Sequence, residues 1–311
     1  MRVGTRGSAL ALVQARHVAT MLGGEPAGIE VVPITTSGDR GALLGDKSRW
    51  VKELEAALLA GEIDVAVHSA KDMPAEPPDG LLLAGVPRRA DARDALCGSP
   101  SLAALEPGAV VGTSSLRRAA ELRALRPDLR IVALRGNVDT RLRKLAERQA
   151  SAIVLAVAGL ERLGRADAID AVLDELVPAP GQGALALEVR AEDSVARAAA
   201  AAIGEPDATD CLTAERALVR TLGASCHTPL GAHATRGADG ALTLRSFVGL
   251  PDGSQWLRDE LTAGSGADPE LFGAAAGTRL LAAGAGELLR AAEALGAGSP
   301  PPASTPEGVQ L

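Results

Sequence analysis

Two strand–turn–helix units follow one another in the middle of the chain, and they restrict its fold more than any other feature of the sequence. Residues 109–112 are a short apolar run that leads into the polar turn 113–115 and then into a helical stretch. Residues 130–134 are a second apolar run, followed by the turn 135–137 and a second helical stretch. Because strands that alternate with helices form parallel sheets covered by helices, this part of the chain is predicted to be an α/β lobe.

Positive charge is concentrated in the same part of the chain. Residues 113–150 contain ten Lys and Arg against four Asp and Glu, although the whole chain has a net charge of −7. Helix N-termini favour anions, and a guanidinium group binds a carboxylate or phosphate through two hydrogen bonds. The pattern therefore predicts an anion-binding site rather than a nucleic-acid surface, which needs a broadly basic face. We assign to the site the arginines closest to the turns, Arg117, Arg118, Arg135 and Arg141, and interpret Arg123, Arg126, Arg130 and Arg148 as a solvated helix face.

The N-terminal part of the chain repeats this pattern at its first predicted strand. That strand covers residues 2–6 and ends at Arg6, and Ser8 is the predicted cap of the helix that follows. In the later unit the predicted cap is Asp139 or Thr140. All three residue types are favoured at this position, because a side-chain oxygen there accepts hydrogen bonds from the first backbone amides of the helix.

Another polar turn follows the apolar run 63–68. Lys71 and Asp72 come shortly after this predicted buried strand. Ligands of open α/β sheets bind outside the carboxyl ends of the strands, so both residues are candidates for a binding or catalytic role. A surface ion pair between neighbours is the simpler explanation, and the pattern alone leaves both open.

The order of predicted elements indicates an α/β chain with two doubly wound lobes and a small α+β C-terminal domain. Three alternating runs between residues 230 and 261, separated by Asp239-Gly240 and Asp252-Gly253, predict a three-stranded antiparallel sheet in the last domain. The predicted boundaries are 1–90 plus 184–202 for the first lobe, 91–183 for the second lobe, 203–296 for the C-terminal domain and 297–311 for a disordered tail.

Composition excludes several classes of protein. No apolar run is long enough to span a bilayer, and the N-terminus lacks the apolar stretch of a signal peptide. Three cysteines without metal-type spacing argue against a disulfide framework or a metal site. Few aromatic residues are present for stacking on bases. We therefore expect a cytoplasmic protein that binds no membrane, no nucleic acid and no metal ion.

Taken together, several segments resemble one family, the porphobilinogen deaminases, also called hydroxymethylbilane synthases. No single segment is specific, but the set occurs in the order of the family from residue 2 to about residue 262. The matching segments are Thr5-Arg6-Gly7-Ser8-Ala9-Leu10-Ala11-Leu12, Val51-Lys52-Glu53-Leu54-Glu55, Ala66-Val67-His68-Ser69-Ala70-Lys71-Asp72, Val111-Gly112-Thr113-Ser114-Ser115-Leu116-Arg117-Arg118, Leu134-Arg135-Gly136-Asn137-Val138, Leu155-Ala156-Val157-Ala158-Gly159-Leu160, Pro180-Gly181-Gln182-Gly183-Ala184 and Thr213-Ala214-Glu215-Arg216.

The resemblance implies two lobes like the domains of type II periplasmic binding proteins, followed by a small domain that carries a cysteine. In the family this cysteine holds a dipyrromethane cofactor through a thioether, and here the matching residue is Cys226. The implied activity is a transferase reaction that condenses four porphobilinogen molecules head-to-tail onto the cofactor, with release of ammonia. Hydrolysis then releases hydroxymethylbilane, a precursor of haem. The implied protein is a monomer with one covalent cofactor.

The resemblance also implies roles for individual residues. Asp72 matches the catalytic carboxylate, which stabilises the cationic methylene-pyrrolenine formed when the amine leaves. Lys47 and Trp50 are lid candidates, because the loop 39–50 covers the cleft in the family; this loop is shorter here than in many relatives. The residues implied to bind cofactor and substrate are Arg6, Ser8, Gln14, Lys71, Thr113, Ser114, Ser115, Arg117, Arg118, Arg135, Gly136, Arg141 and Gln182.

Two other functions use some of the same features. A two-lobed binding protein for small anions would need the arginine cluster but no chemistry, and no role for Cys226. An enzyme using pyridoxal phosphate would form a Schiff base at Lys71, with residues 113–118 as the phosphate site, and would absorb visible light.

Overall fold

The computed structural model describes residues 1–35, 51–224, 228–296 and 307–310. Our predictions for Lys47, Trp50 and Cys226 therefore lie outside the described residues. In the described part of the chain the strands are β1 Arg2–Arg6, β2 Glu30–Ile34, β3 Val65–Ser69, β4 Leu81–Gly85, β5 Asp94–Cys97, β6 Val110–Gly112, β7 Arg130–Val132, β8 Ala152–Ala156, β9 Ala171–Leu173, β10 Leu185–Arg190, β11 Leu230–Arg236, β12 Leu242–Gly249, β13 Gln255–Ala263 and β14 Glu307–Gln310. The α-helices are α1 Ala9–Met21, α2 Lys52–Leu59, α3 Leu116–Leu125, α4 Val138–Ala146, α5 Val157–Arg162, α6 Ser194–Ala202, α7 Pro206–Leu222, α8 Pro269–Ala282 and α9 Ala285–Gly296.

The chain divides into two compact units, and α7 runs from the first into the second. The first unit comprises residues 1–90 and 181–212, and the second comprises residues 91–180 and 213–311. The second unit thus includes both the arginine-rich sheet and the C-terminal sheet. The finer division that we predicted, with a separate domain at 203–296, stays a prediction.

The first unit contains a five-stranded sheet of order β2-β1-β3-β10-β4. Strands β1, β2 and β3 are parallel, and β10 runs antiparallel to both of its neighbours. One face buries Val3, Val67 and Leu187 against Val18 of α1. Because strands alternate their side chains, the other face presents Ala66, which packs with residues of α2. Helices therefore cover both faces, and the carboxyl ends of β1 and β3 share one edge with the amino end of β10.

The second unit repeats this topology in a sheet of order β7-β6-β8-β5-β9. Strands β6, β7 and β8 are parallel, and β5 is antiparallel to β8 and β9. Leu122 of α3 packs on one face with Val111 and Val154, while Ile153 and Leu155 point to the other. The predicted α/β class with two doubly wound sheets is confirmed.

The C-terminal sheet differs from its prediction. Strands β11, β12 and β13 are antiparallel, as expected, but β14 adds a fourth strand parallel to β13. Its residues belong to the segment that we predicted to be disordered. Gly308 allows the pairing, because a Cβ atom at this position would lie 1.9 Å from Cε2 of Trp256. A backbone without a side chain can thus lie directly against the indole ring.

In the described ranges, no helix is both long enough and apolar enough to cross a membrane.

Candidate functional site

In the first unit, the candidate residues lie where β1 and β3 end. Arg6 is the last residue of β1 and is half-buried. Ser8 caps α1 as predicted, and its Oγ accepts a hydrogen bond from the backbone N–H of Ala11 at 3.4 Å. Lys71 and Asp72 form a short 3₁₀ turn immediately after β3. The parallel pairing of β1 with β3 therefore places these four residues at one edge of the sheet.

The turn before β10 contacts the turn that carries Asp72. A Cβ atom on Gly181 would lie 2.8 Å from the carbonyl carbon of Ala70 and 2.9 Å from the backbone nitrogen of Lys71. Gly181 also has a φ of +73°, a conformation that side chains disfavour. Gln182, next in the chain, is 1% exposed. The turn before β10 therefore packs directly against the turn that carries Lys71 and Asp72.

Asp72 has no polar partner among the described residues. Its side chain is half-buried, and its carboxylate makes no hydrogen bond or ion pair with a described residue. Gln14 is on α1 and is buried.

The first unit brings together Arg6, Ser8, Lys71, Asp72 and Gln182 around one sheet edge.

In the second unit, the turn after β6 is built by hydrogen bonds between its own polar groups. The Oγ1 of Thr113 accepts a hydrogen bond from the backbone N–H of Ser115 at 3.2 Å. Ser115 caps α3, and its Oγ accepts from the N–H of Arg118 at 3.4 Å. Ser114 donates a hydrogen bond from Oγ to the carbonyl oxygen of Leu134 at 2.7 Å. This hydrogen bond connects the turn after β6 to the segment after β7, and the parallel pairing of β6 with β7 brings the two segments side by side.

The helix that follows β7 is capped by a residue that we did not predict from the sequence. Asn137 caps α4, since its Oδ1 accepts a hydrogen bond from the N–H of Thr140 at 2.9 Å. The predicted cap, Asp139 or Thr140, is wrong, because the helix begins at Val138. Asp139 instead forms a surface ion pair with Arg165 at 2.9 Å. Arg135 and Gly136 precede the cap and are exposed.

Arg117 and Arg118 share one buried carboxylate, that of Asp94. Asp94 is the first residue of β5 and is 0% exposed. Its Oδ2 accepts from Nη2 of Arg117 at 2.8 Å, and its Oδ1 accepts from Nη2 of Arg118 at 2.7 Å. Arg118 also donates from Nη1 to the carbonyl oxygen of Val154 at 3.0 Å. Sequence reasoning missed Asp94, although an acidic residue at the head of an apolar strand was an available signal.

Glu121 is the second buried carboxylate of this network. Its Oε2 accepts from Nη1 of Arg117 at 2.9 Å, and its Oε1 accepts from the N–H of Val177 at 2.7 Å. The same Nη1 of Arg117 donates to the carbonyl oxygen of Val177 at 2.7 Å. Arg258 of β13 approaches Glu121 at 3.6 Å, so the network reaches the C-terminal sheet. Arg117 thus uses both terminal nitrogens inside the protein, and the ligand contacts that we predicted for it stay a prediction.

Arg141 forms no such ion pair with a described residue. Its Nε is buried and forms no hydrogen bond with a described residue. Burial lowers the pKa of Arg141, and repulsion from Arg118 lowers that pKa further. Burial likewise lowers the pKa of Arg118, against the attraction of Asp94. In this cluster of described residues, Arg117, Arg118 and Arg141 outnumber the two carboxylates, so the site carries surplus positive charge in a poorly hydrated region.

Arg162 is a further cation that we did not single out. It is the last residue of α5, the helix that starts directly after β8. Burial lowers the pKa of its guanidinium group, as it does for Arg141. Arg162 follows the segment 155–160, one of those that resemble the family, by two residues, and this position could have marked it as a candidate.

We expect Glu121 to make stability depend on pH. Burial raises the pKa of Glu121 to about 7, against the attraction of Arg117, whereas an unfolded Glu titrates near about 4.3. Between about pH 4.3 and about pH 7 the folded protein therefore keeps a proton on Glu121 that the unfolded chain has released. This proton stabilises the folded state at low pH, and the stabilisation is lost as the pH rises through about 7. The difference in Tm, wild type minus Glu121→Gln, should fall by several degrees between about pH 5 and about pH 8. Thermal unfolding of both proteins across this range tests it, and a constant difference would contradict it.

Comparison with known proteins identifies the family. A family model described as "Porphobilinogen deaminase, dipyromethane cofactor binding domain" matches residues 1–198, and one described as "Porphobilinogen deaminase, C-terminal domain" matches residues 209–282. The porphobilinogen deaminase of Deinococcus radiodurans is 48% identical over 303 residues, which cover 93% of this chain and 97% of that protein. The porphobilinogen deaminase of Thermus thermophilus is 50% identical over 265 residues, covering 83% and 88%.

Solved structures of solute-binding domains are similar at a much lower level. The second substrate-binding domain of a putative amino acid ABC transporter from Streptococcus pneumoniae is 13% identical, with a TM-score of 0.41 over 71% of this chain and 94% of that one. This likeness says nothing about ligand or activity.

Proposed function

The chain belongs to the porphobilinogen deaminase family, the transferases of tetrapyrrole synthesis that carry a dipyrromethane cofactor, and we propose here how its own residues serve that reaction. The family implies the successive condensation of porphobilinogen units with release of ammonia. A binding protein without catalysis is disfavoured, because curated deaminases match nearly the whole chain.

The observation that carries the proposal is the surplus positive charge around Arg118 and Arg141. Each pyrrole unit of cofactor and substrate bears an acetate and a propionate group, and buried cations without enough internal carboxylates would be neutralised by such anions. The buried Nε of Arg141 is an unused donor for one of them. The residues of this unit therefore fit the cofactor. When bound, the cofactor supplies the pyrrole end to which substrate units are joined.

Arg117, Arg118 and Arg141 are proposed to bind carboxylates of cofactor or substrate, together with Arg135 and the turn hydroxyls of Thr113, Ser114 and Ser115. Arg117 and Arg118 attract these carboxylates through their positive charge, because both Nη atoms of Arg117 and all three nitrogens of Arg118 already donate hydrogen bonds inside the protein. The same internal contacts hold α3 in place. Gly136 is proposed to shape the turn before α4, because its φ is +123° and a Cβ atom at this position would lie 2.6 Å from Cγ2 of Thr140. In the first unit, the proposed carboxylate-binding and positioning residues are Arg6, Ser8, Gln14, Lys71 and Gln182.

Asp72 is the proposed catalytic residue. Loss of the amino group leaves positive charge on the pyrrole ring, and a nearby carboxylate stabilises this charge as it develops. The carboxylate of Asp72 suits the task, because no ion pair with a described residue neutralises it. The tight contact of Gly181 with Ala70 and Lys71 keeps its turn in one place. A preorganised charge of this kind costs no reorganisation when the reaction occurs.

Covalent attachment is proposed at Cys226, with one cofactor per chain. Cys97 and Cys211 are both buried in the structure, and burial raises the pKa of Cys97 to about 11, so this thiol is a poor nucleophile. A monomer that works in the cytoplasm stays part of the proposal.

The intact mass of the purified protein tests the attachment. We expect the wild type to exceed the 31.5 kDa chain by two linked pyrrole units, and we expect Cys226→Ala to have the mass of the bare chain. Cys97→Ala is the matched control and should keep the additional mass. A wild-type mass that stays at the bare chain after incubation with porphobilinogen would overturn the proposal.

A further inference from the structure

The first unit buries a pair of polar side chains, His68 and Glu188, whose role the proposed mechanism does not explain. Nε2 of His68 and Oε2 of Glu188 are 3.1 Å apart, and the two side chains are 4% and 0% exposed. The other carboxylate oxygen of Glu188 is buried and forms no hydrogen bond with a described residue. The pair is therefore held by a single hydrogen bond inside the protein.

The pair links β3 and β10, the two strands whose ends meet at the turn that carries Asp72. His68 is in β3, four residues before Asp72, and Glu188 is in β10. In the antiparallel register His68 lies opposite Ala186, and Glu188 lies opposite Ala66, so the side chains meet diagonally across the two strands. Just beyond the pair, the N–H of Ala70 donates to the carbonyl oxygen of Ala184 at 3.0 Å.

The surroundings of the pair do not favour charge. On this face of the sheet, Ala66 packs with Leu54 and Leu58 of α2. Glu55 of α2 also faces the pair: burial raises its pKa, Glu188 raises it further, and His68 and Lys52 lower it. Burying polar side chains costs free energy that one hydrogen bond offsets only in part, so apolar side chains of similar volume would hold these elements equally well or better. Stability alone is thus a weak reason for a polar pair at this place.

We propose that His68 and Glu188 are positioning residues for Asp72. Their hydrogen bond adds a directional side-chain contact to the backbone pairing of β3 with β10, whereas an apolar contact has no preferred direction. The turn 70–72 leaves the sheet directly from this point and rests on Gly181, so a shift of β3 would move the Asp72 carboxylate. The inference depends on the proposed catalytic role of Asp72.

A pair of variants that differ by one methylene group tests the proposal. In His68→Gln the side-chain amide nitrogen occupies the place of Nε2 and keeps the hydrogen bond, whereas Asn is too short to reach Glu188. We expect His68→Asn to lower kcat for porphobilinogen by about tenfold to a hundredfold with KM changed by less than about twofold, since a displacement of about 1 Å has effects of this size. His68→Gln should restore most of the rate.

A control at the opposite end of the same strand separates positioning from general stability. Asp64 precedes β3 and accepts hydrogen bonds from Arg2 at 2.7 Å and from Arg190 at 3.4 Å. Asp64→Asn should lower Tm while leaving kcat unchanged. Hydrogen exchange of the purified protein gives a second readout: the amides of Ala70 and Met73, which donate to Ala184 and Ala70, should lose protection in His68→Asn and keep it in Asp64→Asn.

The double variant His68→Leu/Glu188→Leu covers the case in which His68→Asn does not fold. It removes both buried polar side chains, including the carboxylate oxygen of Glu188 that forms no hydrogen bond with a described residue, so Tm should equal or exceed that of the wild type, while kcat should fall as in His68→Asn. Unchanged kcat in either variant, or an equal loss of kcat in Asp64→Asn, would overturn the positioning role. A wild type that does not consume porphobilinogen would instead overturn the proposed function.

Discussion

Replacing Asp72 with asparagine is expected to lower kcat for porphobilinogen by about a hundredfold or more, with little change in KM. An amide of the same shape can still form a hydrogen bond to a pyrrole nitrogen, but it cannot neutralise the positive charge that develops when the amine leaves. Preorganised charges of this kind typically contribute roughly 3–4 kcal/mol to transition-state stabilisation. Initial rates at several porphobilinogen concentrations separate kcat from KM.

The structure also predicts what Asp72→Asn leaves intact. The carboxylate of Asp72 makes no hydrogen bond or ion pair with a described residue, so its loss should change Tm by no more than about a degree or two. Asp79→Asn is a suitable control, because Asp79 is exposed and lies seven residues further along the same connection. A variant of Asp72 that keeps more than about a tenth of the wild-type kcat would contradict the electrostatic role assigned to this residue.

The sequence predicted the sheets well because their strands and turns are local. The apolar runs near Val111 and Val67 are each followed at once by polar residues and a helical stretch, and this short-range pattern suffices for a doubly wound sheet. The cap Ser8 was predicted correctly for the same reason. Asn137 was missed since Asn137, Asp139 and Thr140 are all acceptable caps, and the first residue of the helix decides among them.

Most contacts of the ionic network could not be predicted, because only Glu121 lies near Arg117 in the sequence, at a spacing of four residues, and the other partners meet in three dimensions. Arg117 reaches Asp94 across 23 residues of sequence and Val177 across 60. A count of arginines shows that positive charge is concentrated, but not which guanidinium groups are already neutralised inside the protein. That distinction separates Arg117 from Arg141. Similarly, the Pro-rich composition before Glu307 gave no sign that the last residues would pair with β13.

Asp94→Asn is expected to have the largest effect on stability of any single substitution in this cluster. Asp94 is fully buried and binds Arg117 and Arg118 with its two oxygens. An amide cannot neutralise either cation, and removing one partner of a buried ion pair typically costs about 3–5 kcal/mol. For a protein of this size, Tm should fall on the order of 10 °C. Thermal unfolding measures the effect, and intact mass measures cofactor loading in the same preparation.

The same substitution at an exposed ion pair provides the comparison. Asp128 binds Arg126 at 2.7 Å on the surface of the second unit, and Asp128→Asn should leave both Tm and loading nearly unchanged, because exposed ion pairs contribute little to stability. If Asp94 serves only stability, Asp94→Asn should regain full loading at temperatures well below its Tm. If Asp94 also orients Arg118, loading should stay low even where the chain is fully folded. Wild-type stability together with full loading would mean that the buried arginines do not need this carboxylate.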